Sequence, residues 1–273
     1  MPEMALTVES LSKAMGGSLP LERYRALLPA VTRALLDAGC TTVDRAAMWF
    51  AQVGHESEGL KWMVELWGPT SDQLTYQGRM GNTRPGDGYR YRGRGPLQVT
   101  GRNNYSELSR WAHDRDLVPT PTFFVDNPDE LAGDRYGFVG VTWYWTSARN
   151  MNSFADRRDI EGGSIAVNGR NASGRANHIE ERIARWNRCR AMGAAIIPTE
   201  EGLVMAALND KEARELLDGV RYIRDQLGPK LEAWGADSSM GKTKDGEENT
   251  VRDGLADLRR TVVAIAAKLG AKA

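Results

Sequence analysis

Two glutamates nine positions apart, Glu56 and Glu65, have neighbours that suggest acid–base chemistry. Glu56 follows His55 near the end of a predicted helix, and Gly59 stands where that helix would stop. On one continuous helix, the two carboxylates would lie on opposite faces and roughly 13 Å apart along the axis. They can share a cleft only if the chain turns back after Gly59, which a glycine permits. Two carboxylates across a cleft, one protonated and one ionised, are what hydrolysis of a glycosidic bond requires.

A second segment, residues 91–100, combines a fixed backbone with neutral hydrogen-bonding side chains. Its sequence, Tyr-Arg-Gly-Arg-Gly-Pro-Leu-Gln-Val-Thr, contains glycines and a proline that predict a bend. Gln98 and Thr100, together with the nearby Asn104, supply uncharged donors and acceptors. The segment therefore suits an uncharged, hydroxyl-rich ligand such as a sugar.

Other chemistries find weaker support in these residues. The run His55-Glu56-Ser57-Glu58-Gly59 lacks the second histidine of the zinc-protease motif. The chain has only two further histidines, His113 and His178, so we expect no metal site. The run Gly93-Arg94-Gly95-Pro96-Leu97-Gln98 lacks the last glycine of the dinucleotide-binding fingerprint and follows no predicted strand, so we expect no cofactor. Taken alone, Asn168-Gly169 would be an ordinary turn.

Composition indicates a folded chain without a general attraction to polyanions. Apolar residues make up 41% of the 273 residues, and eight tryptophans are ample for a core. The formal net charge is zero, which gives no whole-protein argument for binding nucleic acid or a membrane. Between Arg79 and Arg115, however, eight arginines accompany only three acidic residues. These arginines either contact carboxylates or phosphates of a ligand or pair with acids elsewhere on the surface, and both readings stay open.

The amino terminus and the cysteines bear on where the protein acts. The first ten residues contain neither the basic nor the apolar region of a secretion signal, and no run approaches the length of a membrane span. We therefore expect synthesis in a cytoplasm, with any extracellular target reached by outside help. Cys40 and Cys189 are too few for a disulfide framework and are expected to be buried, inert thiols.

Apolar residues at helical spacing predict a mainly α-helical protein. The predicted helices are 21–38, 42–57, 105–113, 135–146 and 177–192. Thr41, with Asp44 three residues later, resembles a capping box for the second of these helices. Residues 68–101 are rich in Gly, Pro, Asn and Asp, which predicts a long functional loop with at most a small hairpin.

A change in composition divides the chain near residue 197. The first 198 residues contain two lysines, whereas the last 75 contain six. We therefore predict a domain over residues 1–197 and a smaller helical region over residues 198–273. In the latter, residues 212–227 and 250–269 are predicted helices joined by a polar link over residues 235–249. The last helix carries an apolar stripe that a hairpin or a dimer would cover, formed by Leu255, Leu258, Val262, Ile265 and Leu269.

In their order and spacing, these motifs resemble glycoside hydrolase family 19, the family of plant and bacterial chitinases and many phage endolysins. The resemblance covers roughly residues 20–192 and implies a lysozyme-like, mainly α-helical catalytic domain with a long active-site loop. The segments that carry it are residues 51–60, 64–65, 91–105, 143–145, 167–169 and 181–183, followed by Trp186.

The resemblance also implies how the two glutamates divide the reaction. Glu56 takes the place of the general acid, kept protonated by apolar surroundings, and Glu65 that of the general base. If water must fit between Glu65 and the sugar, the carboxylates lie farther apart than in a retaining enzyme and the anomer inverts. Glu58 departs from the pattern, because many family members have Gly-Gly where Glu58-Gly59 stands. This extra carboxylate either affects the acid, binds a cationic group or is simply solvated.

Five further positions match residues that contact substrate or support catalysis in the family. Gln98, Thr100 and Asn104 take the places of substrate contacts. Asn168 and Arg182 take the places of residues that help to hold the base and the attacking water. The resemblance implies no metal and no cofactor.

Chitin and peptidoglycan share a β-1,4-linked N-acetyl-hexosamine backbone, so the catalytic positions cannot separate them. The missing secretion signal, the basic loop and the insertion before Tyr89 favour a phage endolysin that degrades peptidoglycan after holin-type release from the host cytoplasm. The tail loosely resembles wall-binding segments, with a dimerising helix as the alternative. A chitinase and a lytic transglycosylase are the rival activities, and a non-catalytic wall-binding module is the rival from another class.

Overall fold

A computed structural model describes residues 6–207, residue 212, residues 239–242 and residues 248–250. The chain divides into two units, Met1–Leu203 and Val204–Ala273. Most of the described residues are helical, as predicted. Among them, no helix is both long enough and apolar enough to cross a bilayer.

Twelve α-helices lie within residues 6–207, several of them only one turn long. Short 3₁₀ helices cover Pro128–Ala132 and Gly193–Ile196, and a π-helical turn covers Tyr144–Ala148. The α-helices are α1 (Val8–Met15), α2 (Leu21–Asp37), α3 (Val43–Glu56), α4 (Ser71–Leu74), α5 (Asp87–Arg90), α6 (Arg102–His113), α7 (Phe123–Asp126), α8 (Asp134–Trp143), α9 (Met151–Asp156), α10 (Ile160–Asn168), α11 (Ile179–Ala191) and α12 (Glu200–Ala207).

Helix α3 is the central element of the first unit. Every residue from Ala46 to Gly54 is buried, so the helix is covered on all sides rather than on one stripe. It packs most extensively against α11 and also contacts α1, α9 and α10. The Trp49 ring lies parallel to that of Phe138 in α8, with 6.3 Å between the ring centroids. The carboxyl end of α3, where Glu56 lies, is therefore fixed by a rigid core.

The five helices predicted within residues 21–192 are confirmed, with small changes at their ends. The amino-terminal cap of α3 is Thr42, whose hydroxyl accepts from Arg45 N at 3.3 Å, so the prediction of Thr41 as cap was wrong by one residue. Cys40 and Cys189 are buried and unpaired, as expected.

The chain turns back after α3, as the placement of Gly59 predicts. Gly59 has φ +72°, and a Cβ at this position would lie 2.6 Å from Met15 O, so only glycine fits the close approach to α1. The returning segment meets the long loop, where Glu65 N donates to Gly93 O at 2.9 Å and Gly95 N donates to Met63 O at 2.9 Å. The turn thus places Glu65 against the Gly-Arg-Gly segment.

The long loop is more ordered than the sequence indicates. It contains the one-turn helices α4 and α5, and the predicted hairpin is reduced to a single antiparallel bridge between Arg94 and Val99. A buried apolar cluster, which includes Tyr91 and Val99 of the loop, fixes the loop to the helices. Its members are Tyr91, Val99, Tyr105, Leu108, Ala112, Val118, Phe124, Leu131 and Trp143.

In the second unit, the structure describes two short strands, β1 (Ser239–Lys242) and β2 (Glu248–Thr250), which pair antiparallel. They lie where the sequence predicts an unstructured polar link, over residues 235–249, and Thr250 lies in β2 rather than at the start of a helix. The prediction missed them because both strands are short and polar. The predicted helix 212–227, apart from residue 212, and the predicted helix 251–269 lie outside the described residues.

Candidate active site

Glu56 is the last residue of α3, and its side chain is 15% exposed. Its Oε1 accepts hydrogen bonds from Arg182 Nη2 and, at 3.5 Å, from Asn168 Nδ2. Within the described part of the chain, Oε2 has no hydrogen-bond partner. One oxygen is therefore held in place, while the other is open to a ligand.

The Arg182 guanidinium that holds Glu56 is itself fully buried. Arg182 Nη1 donates to Gln52 Oε1 at 2.5 Å, and Arg182 Nε donates to Asn177 O at 3.3 Å. Gln52 lies one turn before Glu56 on α3 and donates in turn to Ser164 Oγ at 3.0 Å. Gln52 was not predicted as a site residue, although its spacing of four residues from Glu56 places both on one helix face.

The structure corrects two expectations about this group. Asn168 and Arg182 were expected to hold the base and the attacking water, but both donate to Glu56. Asn168 is also the last residue of α10 rather than part of a free turn, with Gly169 at φ +72° directly after it. The surroundings of Glu56 were expected to be apolar, yet its nearest partners are a guanidinium and an amide, because α10 and α11 bring polar side chains to the end of α3.

Glu65 lies at the edge of the long loop and accepts three hydrogen bonds. Gln73 Nε2 and Tyr76 Oη donate to Oε1 at 2.9 Å and 3.1 Å, and Gly93 N donates to Oε2 at 2.9 Å. Three donors spread over both oxygens are the surroundings that an ionised carboxylate needs. Glu65 is thus placed to accept a proton.

Gln73 and Tyr76 were not predicted from the sequence. Gln73 belongs to a capping box with Thr70 at the start of α4, which presents its amide to Glu65. Burial, followed by the charge of Glu65, raises the pKa of Tyr76 to about 12. Its hydroxyl therefore stays protonated, and a donor to Glu65, through the neutral range. The capping pattern Thr-x-x-Gln was the one available signal.

The predicted substrate contacts Gln98, Thr100 and Asn104 bind their own loop. Gln98 Nε2 donates to Gly95 O at 2.9 Å, Thr100 Oγ1 to Gln98 O at 2.8 Å, and Asn104 Nδ2 to Thr100 O at 2.8 Å. Gln98 also lies against Gly93, where an added Cβ would be 2.5 Å from Gln98 Oε1. Of the three, Gln98 touches the residue that binds Glu65, whereas no described hydrogen bond joins Thr100 or Asn104 to either glutamate.

The arginines of the loop fall into two classes, and pairing with acidic residues accounts for only two of them. Buried Arg94 pairs with Asp129 at 2.6 Å, and Arg102 pairs with buried Asp87 at 2.5 Å. The remaining six have no carboxylate partner among the described residues. These are Arg79, Arg84, Arg90, Arg92, Arg110 and Arg115.

Two aromatic rings and a guanidinium contact one another beside Tyr76, which binds Glu65. Trp67 meets Tyr89 edge to face, with 5.3 Å between the ring centroids, and the Arg92 guanidinium lies 4.2 Å above the Tyr89 ring. Tyr89 is 51% exposed. Exposed aromatic faces suit the apolar faces of sugar rings, and a guanidinium suits a carboxylate.

Among the described residues, one group of metal-ligating side chains lies together: His55, His178 and Glu181, with ligand atoms within 4.8 Å of one another. Burial, followed by the charge of Arg182, lowers the pKa of His55 to about 4. Glu58 is exposed and accepts from Trp62 Nε1 at 3.0 Å. Glu58 thus binds a tryptophan side chain, and no hydrogen bond joins it to Glu56.

Comparison with known proteins places these features in a family context. A glycosyl hydrolase family 19 domain-containing protein of Haemophilus influenzae is 28% identical over 175 residues, covering 53% of this chain and 80% of that protein. An acidic endochitinase of Petunia hybrida is 35% identical over 102 residues, covering 36% of this chain and 34% of that protein. Residues 208–265 match a family described as the Rv3766 C-terminal domain.

Solved structures show the same fold. Chitinase C of Streptomyces griseus aligns with a TM-score of 0.53 and 17% identity, covering 70% of this chain and 94% of that chain. A bacterial family 19 chitinase aligns with a TM-score of 0.51 and 20% identity, covering 71% of this chain and 96% of that chain. The described helices of the first unit therefore form a family 19 chitinase-like fold.

Proposed function

We propose that this chain, a glycoside hydrolase with the family 19 chitinase-like fold, cleaves the β-1,4 bonds between N-acetylated amino sugars of bacterial peptidoglycan and acts as an endolysin. The observation that carries the proposal is the unequal setting of the two carboxylates. Glu56 keeps one oxygen free of donors, whereas Glu65 is surrounded by three. This is the division expected between a general acid and a general base.

In the proposed reaction, Glu56 gives its proton from Oε2 to the glycosidic oxygen. Glu65 takes a proton from a water on the opposite face of the sugar, and that water attacks the anomeric carbon. The products are a new reducing end with inverted configuration and a free hydroxyl on the leaving sugar. Glu65 ends protonated and Glu56 ionised, so a proton must pass between them through solvent before the next turnover.

Peptidoglycan is favoured over chitin by the positive charge of the long loop, which also supplies the donors to Glu65. Arg79, Arg84 and Arg92 have no carboxylate partner among the described residues, so their charges are available to a ligand. Chitin is uncharged, whereas the peptides of peptidoglycan carry carboxylates. Arginine binds carboxylates in a bidentate manner. The proposed setting is a host cytoplasm, from which a holin-type pore would release the protein to the wall.

Chitin remains the second candidate substrate because of the likeness to the Petunia hybrida endochitinase. Rates on chitin oligomers equal to those on cell walls would favour it.

The test is digestion of purified sacculi, followed by mass analysis and NMR of the products. We expect reducing muropeptides with an inverted anomer. Anhydro products, lighter by one water, would identify a lytic transglycosylase instead and contradict the hydrolytic proposal.

A matched pair of variants separates catalysis from binding. Glu56→Gln should lose at least ~10²-fold in rate with folding retained. Glu58→Gln makes the same chemical change on an exposed residue two positions away and should keep wild-type activity. Wall clearing that survives Glu56→Gln would indicate a non-catalytic wall-binding module.

A further inference from the structure

Three side chains without a role in the proposed hydrolysis lie together where α3 meets α11. His55 Nδ1 lies 3.5 Å from Glu181 Oε2, and His178 Nδ1 lies 4.0 Å from Glu181 Oε1. The two imidazole rings face each other with 5.5 Å between their centroids. Glu181 thus stands between two histidines that the sequence separates by 123 positions.

The backbone presets this arrangement. His178 precedes α11 in the left-handed region, at φ +52° and ψ +35°, which a non-glycine residue seldom adopts. His55 lies in the last turn of α3, with its side chain only 13% exposed. Because α3 and α11 pack closely along their length, the relative positions of His55 and Glu181 are set by the core. Little reordering is then needed to bring the ligand atoms together.

We propose that His55, His178 and Glu181 bind a divalent transition-metal ion, of which Zn²⁺ fits best. Two imidazoles and one carboxylate form a three-ligand zinc set with an open fourth position. Ligands about 2.0–2.2 Å from a tetrahedral zinc ion lie about 3.4 Å from one another. The ligand atoms here lie within 4.8 Å of one another, with His55 3.5 Å from one oxygen of Glu181 and His178 4.0 Å from the other, so small side-chain rotations would close the site. Ca²⁺ and Mg²⁺ are disfavoured because they prefer oxygen ligands.

The neighbouring charges predict a reversible rather than a permanent site. Arg182 and Arg185 both act on His55 and would repel a dication, although the charge of Arg182 is offset by Glu56. His178 and Glu181 are also well exposed, at 64% and 69% of their side chains.

The test is metal binding by the full-length protein after dialysis against EDTA. ZnCl₂ is titrated by calorimetry, and CoCl₂ is followed by its visible absorption, which reports a histidine and carboxylate environment directly. We expect one ion per chain. His178→Ala and Glu181→Gln should each raise the Kd at least tenfold, and circular dichroism should show both variants folded.

Glu180→Gln is the matched control, because Glu180 is an exposed neighbour that pairs with Arg175 rather than with the histidines. It should bind zinc as the wild type does. Equal zinc affinity in the wild type, His178→Ala and Glu181→Gln would overturn the proposal, as would the absence of a cobalt spectrum at millimolar metal. Since the readout is binding, the result does not depend on which glycan is cleaved.

Discussion

At the scale of single residues, the two carboxylates differ in the charge and number of their partners. Glu56 receives a guanidinium and an amide on one oxygen, both from helices that pack on α3. Glu65 receives neutral donors on both oxygens, all of them from the long loop. Glu56 is thus anchored to the helical core, whereas Glu65 depends on the loop. Changes to the loop should therefore affect the base selectively.

Tyr76→Phe tests this dependence, because it removes one donor to Glu65 and leaves the ring in place. A hydrogen bond to a charged group contributes about 1.5–3 kcal/mol, so we expect kcat to fall roughly 10- to 100-fold. KM should change little, because Tyr76 acts on the base rather than on the sugar. Steady-state rates on a soluble N-acetylglucosamine oligomer would measure both constants.

Tyr89→Phe serves as the control for this prediction. The Tyr89 hydroxyl lies in the same loop but has no hydrogen bond to Glu65. Its removal leaves the exposed ring in place. A fall in kcat as large as that of Tyr76→Phe would show that any change in the loop lowers the rate. The specific role of Tyr76 would then be wrong.

Arg92→Gln tests the preference for an anionic glycan, and therefore rests on the proposed function. Arg92 lies over Tyr89, precedes the Gly93 that binds Glu65, and has no carboxylate partner among the described residues. Specificity is measured as kcat/KM on peptide-bearing glycan divided by kcat/KM on neutral chitin oligomers. We expect this ratio to fall about tenfold, which corresponds to a loss of ~1.4 kcal/mol in discrimination.

Arg110→Gln removes the same charge from an exposed position on α6 and should leave that ratio unchanged. If Arg92→Gln lowers both rates by the same factor, Arg92 only supports the loop. If the wild type does not cleave peptidoglycan at all, the proposed substrate itself is wrong.

At the scale of elements, apolar spacing predicted the long helices of the first unit, of which α2 and α6 bury one face whereas α3 is buried on all sides. Helix α10 was missed, since its Ile-Glu-Gly-Gly sequence has two glycines and little periodicity, yet α10 positions Asn168. The π-helical turn at Tyr144–Ala148 was likewise read as ordinary helix, because nothing local distinguishes it.

Only those parts of the candidate site that lie close together in the sequence could be predicted. The turn after Gly59 was allowed by the residue type at that position, whereas the contact of Glu65 with Gly93 was seen only in the structure. Contacts such as Gln73 to Glu65 and Arg182 to Glu56 depend on where distant elements return. The family resemblance supplied Arg182 as a position but assigned its contact to the wrong carboxylate.

The ion pair of buried Asp87 and Arg102 should fix the long loop to the start of α6. Asp87 at the start of α5 accepts from Arg102 Nε at 2.9 Å and from Arg84 N at 3.0 Å. Removing one charge from a fully buried pair costs about 3–5 kcal/mol, and because Arg102 keeps 19% of its side chain exposed, the lower end of that range applies here. We expect Asp87→Asn to lower the free energy of unfolding by about that amount.

The same pair predicts a pH dependence. The hydrogen bond from Arg102 is the main cause that lowers the pKa of Asp87 below its usual range. Because the folded-state pKa is lowered, the extra stability is complete above the unfolded pKa of about 4 and is lost as pH falls through the folded value. The stability difference between wild type and Asp87→Asn should therefore shrink below about pH 4.

Urea unfolding at several pH values would measure this difference. Asp72→Asn is the control, since Asp72 is an exposed acid in α4 without an ion pair among the described residues. A difference between wild type and Asp87→Asn that is constant from pH 3 to pH 7 would contradict the proposed source of the stability.

At the scale of the whole molecule, a net charge of zero hides an uneven distribution. The long-loop arginines that have no carboxylate partner among the described residues belong to the first unit, whereas the second unit carries most of the lysines and a match to a separate family. A general attraction to an anionic wall is thus excluded as the source of any wall affinity. Such affinity must come from local surfaces, either the loop around Glu65 or the second unit.

Removal of the second unit distinguishes these two sources. A protein of residues 1–207 keeps α1 to α11, both glutamates and every described contact to them, so we expect its kcat/KM on soluble oligomers to stay within about twofold of the full-length value. If the second unit targets the wall, the shortened protein should no longer sediment with sacculi and should clear them slowly. Full-length Glu56→Gln should still sediment, which separates binding from cleavage. If the shortened and full-length proteins sediment equally with sacculi, the wall affinity lies in the loop. Dimerisation would then be the remaining role proposed for residues 198–273, and analytical ultracentrifugation would measure it.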